Sequence, residues 1–351
     1  MDLDVFGSSV GEWLKGDGPE SDIVISSRVR LARNLSGHNF LARAQQDELE
    51  SIEASVGRYL REKDGRFKRL YFRMQELSEM ERYILVERHL ISREHSRAEP
   101  GRAIASTDDE RLSVMINEED HLRVQMLRSG LRLEEAWREA DGFDNRLSEH
   151  FGYAFSPKYG YLTACPTNVG TGMRVSVMLH LPALVMTREI DKLFRAISKI
   201  NLAVRGLYGE GTQAYGDLYQ ISNQASLGKS ETRIFENLES VVASVIAYER
   251  KARERILSAD KIKTHDRLWR AFGMLKTVHL LSSEEMMHLL SAVRLGASTG
   301  VLPTVDARTI NELFLFTQPA HLQKNTGRSL NTQERDTQRA RVIRDRLAAF
   351  N

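Results

Sequence analysis

Cys165-Pro166-Thr167-Asn168-Val169-Gly170-Thr171-Gly172 lies between two short runs, residues 162–164 before it and 174–181 after it. The runs read as strands and the octapeptide as the loop joining them. Pro166 has no N–H to give to a ladder, and Gly170 and Gly172 let the backbone approach a ligand closely. Cys165 is the only cysteine in the chain. A lone cysteine is often a small buried hydrophobe. A polar loop bordered by basic side chains, however, lowers a thiol's pKa and favours the thiolate.

Working outward, Ile104 and the runs 112–116 and 122–126 read as successive strands, with Asn117-Glu118-Glu119-Asp120 as the turn between the last two. Residues 70–72 form another short strand, and 203–207 and 218–222 flank a glycine-rich stretch. The periodicity predicts helices over 45–63, with Leu49, Ile52, Val56 and Leu60 on one face, and over 78–89, 131–150 and 182–200. After Ser230 the strand signal disappears. Helices are predicted over 231–257, 261–275, 283–295, 306–316 and 331–349, the last with Asn331 and Glu334 at capping-box spacing. The fold class is therefore α+β, a sheet flanked by helices in residues 1–255 followed by an all-helical domain in 256–351. The first twenty residues carry few signals.

The composition fits a globular protein: 351 residues, 41% hydrophobic, 28% charged, formal charge +2. That balance offers no reason to expect direct binding of nucleic acid. Of 50 basic residues 38 are Arg and 12 are Lys, and Arg presents a planar fork suited to phosphate and carboxylate. One cysteine rules out an internal disulfide framework and a cysteine-rich zinc site. The acidic start Met1-Asp2-Leu3-Asp4 has no signal-peptide pattern. No apolar run reaches the ~18 residues of a membrane span, and a cytoplasmic location is expected.

Phosphate chemistry needs its own search. Leu227-Gly228-Lys229-Ser230 looks like the end of a phosphate loop, but position 223 holds Asn where that motif needs Gly. Gly209-Glu210-Gly211 misses the spacing of a dinucleotide loop. Arginines offer another route. Arg28 and Arg30 would share one face of a strand, Arg123 and Arg174 recur on predicted strands, and Arg205 precedes a glycine turn. Several Arg converging on a triphosphate can neutralise a transferring phosphoryl group.

Taken in order, Ser-Ser-Arg-Val-Arg (26–30), Asn-Glu-Glu-Asp-His-Leu-Arg (117–123), the cysteine octapeptide with Arg174, and Val-Arg-Gly-x-x-Gly-Glu (204–210) resemble the catalytic domain of the phosphagen (ATP:guanidino) kinases over about residues 22–250. The resemblance implies an antiparallel sheet of the glutamine-synthetase-like kind, with ATP and Mg²⁺ as cofactors and no protein metal site. Arg28, Arg30, Arg123, Arg174 and Arg205 match the arginines that hold the nucleotide phosphates. Glu119 and Glu210 match the carboxylates on the guanidino substrate, and Cys165 matches the cysteine beside it. Met115 stands where the family often has Trp, and Leu207-Tyr208 depart from the creatine-specific pattern; neither removes a charged group.

The small-molecule enzymes of the family carry a helical domain before the catalytic one. Here Ser26 comes almost at the start and the extra domain follows, so the resemblance points to the bacterial branch acting on arginine side chains in proteins. In that branch Arg335, Asp336 and Arg339 match an accessory phosphoarginine-binding motif linked to homodimerisation. Implied partners are proteins with exposed arginine, a Clp-type chaperone–protease, a zinc-binding activator and a heat-shock repressor. Two other readings stand beside this one: a free-guanidine phosphagen kinase, and a phosphoarginine-binding adaptor. The intact Glu119, Glu210, Cys165 and arginines weigh against the adaptor.

Overall fold

The computed structural model describes residues 10–207 and 214–350. In chain order the elements are β1 (Val24–Arg33), α1 (Gln46–Arg58), β2 (Leu70–Arg73), α2 (Glu79–Glu87), β3 (Ala103–Ser106), β4 (Leu112–Ile116), β5 (Leu122–Ser129), α3 (Leu133–His150), β6 (Phe155–Ser156), β7 (Gly160–Tyr161), β8 (Met173–His180), α4 (Pro182–Met186), α5 (Ile190–Ser198), β9 (Leu202–Gly206) and β10 (Leu218–Asn223). Then come α6 (Glu231–Ala259), α7 (Lys261–Thr277), α8 (Ser283–Ser298), α9 (Ala307–Phe316), α10 (Pro319–Thr326) and α11 (Thr332–Leu347).

Eight strands form one antiparallel sheet in the order β2-β3-β4-β5-β1-β8-β10-β9, and β6 and β7 pair separately. The α+β expectation holds. Side chains alternate along each strand, which separates the two faces chemically. On one face Val29, Leu31, Val124, Met126, Val175, Val177 and Ile221 are buried beneath α1, α3 and α6. Each such side chain contributes roughly 1.5–3 kcal/mol on burial. The opposite face has three zones. Phe72, Ile104 and Met115 pack with residues of α2 at one end. Leu127, Met178 and Leu218 pack with the helices after α6 at the other. Between them the face is polar.

Local chemistry explains most boundaries. Ser78 and Glu81 form a capping box on α2, as Asn331 and Glu334 do on α11. The structure departs from the sequence reading at several places. Residues 162–164 join no ladder of the main sheet; Leu162 O accepts from Asn34 Nδ2 and Ala164 N donates to Asp120 Oδ1, so side chains replace a strand partner. The single helix over 182–200 is two, broken at Arg188 with φ 59°. The helix α10 was missed, although Pro319 at its first turn and Gly327 after its end are start and stop signals. The first twenty residues carry few sequence signals, yet Trp13 and Leu14 are buried between the sheet and the helical region. The 255/256 division falls inside α6, which continues to Ala259. No described helix is long and apolar enough to cross a membrane.

Candidate active site

The polar zone is a lattice of cross-strand neighbours. Arg30 lies opposite Gln125 on β5 and Arg174 on β8; Arg28 lies opposite Ser176, and Ser176 opposite Ser222. Arg205 on β9 faces Gln220 on β10, and Arg123 lies opposite Met115 on β4. Directly opposed residues share a face, so strand register alone gathers all five arginines on the open side.

Polar neighbours hold some of these guanidinium groups in place. Arg28 Nε donates to Ser176 Oγ at 3.3 Å and its Nη2 to Gln220 Oε1, while Arg174 Nη2 donates to Ser222 Oγ at 3.2 Å. Arg123 Nη1 donates to Glu118 Oε2 at 2.5 Å. The Nε atoms of Arg30 and Arg174 are buried and make no hydrogen bond. Burial, then Arg123 and Arg174, lower the pKa of Arg28 to about 10. Burial and the charges of Arg28, Arg123 and Arg174 push Arg30 well down. For Arg174, burial, Arg205 and Arg123 lower the pKa, opposed by Cys165 and Glu119. A half-buried field of like charge with unbonded donors is suited to an anion.

A cleft of about 1320 Å³ opens over part of this field. Arg28, Arg30, Arg123, Gln125 and Met115 form its floor, and His89 and Val86 stand at one side. Met287, Gln318, Ala320 and Arg335 form the wall contributed by the helical region. Arg174, Arg205, Glu119 and Cys165 do not line this cleft. Cys165 and Glu119 each oppose the lowering of the Arg174 pKa, so both lie within electrostatic reach of that arginine.

The two acidic-turn glutamates differ sharply. Glu119 is exposed, with its N–H donated to Glu118 Oε2 at 3.1 Å. Glu118 accepts from Ser92 Oγ at 2.7 Å and pairs with Arg123. Burial alone would raise its pKa; Arg123 and Ser92 outweigh that and lower it. The sequence reading overlooked Glu118, whose position five residues before Arg123 was the available signal. Cys165 is half-buried, with Sγ 3.1 Å from Thr167 Oγ1. Its loop is anchored by Ser226 Oγ, which donates to Asn168 O at 3.0 Å and Val169 O at 2.9 Å.

Glu210 lies outside the described residues. The C-terminal triplet is divided. Arg335 reaches the cleft while donating to Leu330 O at 2.8 Å and Thr332 Oγ1 at 3.1 Å. Arg339 is buried, donating to Thr317 O, to Leu281 O and, at 2.5 Å, to Asp336 Oδ1. Among the described residues no group of three or more His, Cys, Asp or Glu is placed to hold a metal ion.

Residues 51–252 match the family model described as the ATP:guanido phosphotransferase C-terminal catalytic domain, and residues 261–351 match that of the protein-arginine kinase McsB C-terminal domain. The chain is 48% identical over 344 residues to a protein-arginine kinase of Halothermothrix orenii, covering 98% of each. It is 45% identical to the protein-arginine kinase of Bacillus subtilis, over 97% of this chain and 94% of that one. Among solved structures, lombricine kinase superposes with TM-score 0.56 at 25% identity, covering 70% of each chain. The duplicated taurocyamine kinase of Schistosoma mansoni has the same fold, with TM-score 0.60 at 24% identity; the match spans 80% of this chain and 40% of that one.

Proposed function

The chain belongs to the ATP:guanido phosphotransferase family, among the protein-arginine kinases, and from that premise we propose that it transfers the γ-phosphoryl group of ATP to arginine side chains of proteins through the residues gathered on the polar sheet face. The observation that carries this reading is the largely half-buried arginine field with buried, unpartnered Nε donors on Arg30 and Arg174, the latter within electrostatic reach of Cys165 and Glu119.

In this reading Arg28, Arg30, Arg123, Arg174 and Arg205 hold the triphosphate and take up the charge that develops on the transferring group. Magnesium bound with ATP would share in neutralising the phosphate charge beside these arginines. The acceptor guanidinium has a pKa above about 12, so its nitrogen attacks only as a proton leaves. Glu119 accepts that proton while the N–P bond forms and the bond from γ-phosphorus to the bridging oxygen breaks, releasing ADP. Glu210 acts as a second carboxylate on the planar fork, and Cys165 as negative charge beside it. Arg335, Asp336 and Arg339 form an accessory phosphoarginine site; the access of Arg335 to the cleft supports this. Family membership supports the wider role: a homodimeric cytoplasmic enzyme whose product marks proteins for a Clp-type chaperone–protease and, with a zinc-binding activator, acts on a heat-shock repressor.

The test is incubation with Mg·ATP and an arginine-rich protein, with free arginine and creatine in parallel. Acid-labile phosphate on protein arginine is expected; label confined to the free amino acid overturns the reading. Glu119→Ala and Cys165→Ala should each reduce protein phosphorylation at least ~100-fold without altering the far-ultraviolet circular dichroism. Full activity in both would remove these residues from the site.

A further inference from the structure

Glu119 and Cys165 come from segments far apart in the chain, and no backbone ladder among the described residues joins those segments. One carboxylate oxygen does. Asp120 Oδ1 accepts from Ala164 N at 2.7 Å and from Asn34 Nδ2 at 2.6 Å. Asn34 completes the tie: its Nδ2 also donates to Leu162 O at 3.1 Å, and its Oδ1 accepts from His121 N at 3.0 Å. Both side chains are buried, at 2% and 1% exposure. Asp120 is thus adjacent in sequence to Glu119 and hydrogen-bonded to the residue adjacent to Cys165. The same pair fastens both segments to Asn34, just past the end of β1, the strand carrying Arg28 and Arg30.

We propose that Asp120 is a positioning residue which, with Asn34, sets the separation of Glu119 and Cys165 and so the seat of the acceptor guanidinium. The proposal rests on the reading of those two residues as the acceptor site. The carboxylate is no proton acceptor for the substrate, because it is buried and its Oδ1 is occupied by Ala164 and Asn34. What the site requires of residue 120 is an oxygen at that point, and an asparagine supplies one. Ala164 is exposed, so without that oxygen its N–H would turn to water and release the loop from Asp120, taking Cys165 with it.

Steady-state kinetics on the full chain tests this with Asp120→Ala, Asp120→Asn and Asn34→Ala, beside Glu119→Gln and Cys165→Ala as markers of the underlying reading. The sole cysteine gives a second readout, the rate of Cys165 alkylation by iodoacetamide. Asp120→Ala should lower kcat about 100-fold, the order expected for an ångström of misplacement, leave KM for ATP within about threefold, and change the alkylation rate. Asp120→Asn should stay within about tenfold of the parent in kcat. Asn34→Ala, which keeps the Asp120–Ala164 bond, should fall between and serves if Asp120→Ala does not fold. The proposal is overturned if Asp120→Asn is as damaged as Asp120→Ala, since charge and not position would then matter. Unchanged alkylation in both Asp120→Ala and Asn34→Ala overturns it equally. Undiminished activity in Glu119→Gln and Cys165→Ala would instead strike the acceptor-site reading, while the alkylation rates would still decide the tie itself.

Discussion

Arg30 carries a cost that its surroundings do not repay. It is half-buried among Arg28, Arg123 and Arg174, with Glu118 only partly opposing their charge, and its Nε is buried and makes no bond. In the absence of a bound anion such a group destabilises the chain, and replacing buried charge by apolar volume is often stabilising. Arg30→Met should therefore raise the thermal unfolding midpoint without nucleotide, abolish the additional shift produced by Mg·ATP, and reduce phosphoryl transfer at least ~100-fold. A lower midpoint with transfer intact would show that Arg30 serves the fold and not the phosphates. The arginine positions were legible in the sequence because their spacing on strands puts them on one face. The contrast between Glu118 and Glu119 was not. It depends on Ser92, 26 residues from Glu118, and on which of two adjacent carboxylates the hairpin turns inward.

At the scale of elements, the cysteine loop illustrates how a turn is held. Gly170 has φ 113°, and a Cβ there would stand 2.9 Å from both Leu227 Cα and Ser226 O. Gly170→Ala should cost roughly 1–3 kcal/mol in stability and lower activity about tenfold or more, because the displaced backbone is the one Ser226 ties to Asn168 and Val169. Gly228→Ala is the control. Gly228 has φ 73° but open space around its Cβ, so that change should cost about 1 kcal/mol and leave transfer unchanged. Equal activity in both variants would mean the loop tolerates displacement. Element prediction succeeded where alternation or caps were strong, as in β4, β5, β8, α2 and α11. It failed at 162–164, where Asp120 and Asn34 replace a strand partner, and at Arg188, where a left-handed residue divides one apparent helix into two.

Across the whole molecule, buried polar groups bind the helical region to the sheet. Ser291 Oγ donates to Asp217 Oδ2 at 2.5 Å, so His180 Nε2 must donate to Ser291, and His180 Nδ1 accepts from Arg294 Nη1 at 2.9 Å. That arrangement requires a neutral imidazole. Burial, then Arg294 and Arg253, push the His180 pKa well down. Burial likewise lowers His89 to about 3, aided by Arg28, and His95 to about 4. In the unfolded chain these groups protonate near pH 6.5. Below that value the unfolded state binds more protons than the folded one, so stability rises with pH and falls on acidification. Asp120 and Asp217, whose pKa burial raises, act in the opposite sense just above the ordinary carboxylate range. The unfolding midpoint should therefore drop from pH 7.5 to pH 5.5, with a limiting slope of about 1.4 kcal/mol per pH unit for each neutral histidine. A midpoint that rose over that range would contradict the neutral assignments.

By itself the sequence determined the family, the α+β class and the residue types of the site, because each resides in a short segment whose period or motif is local. Tertiary structure alone decided which arginine Nε donors remain without a partner, that Glu118 rather than Glu119 holds Arg123, and how Cys165 is placed. The octapeptide around Cys165 reveals its kinship but not its position. That position depends on Asn34 and Asp120, 86 residues apart, and no local pattern encodes a bond between side chains that only the folded sheet brings together.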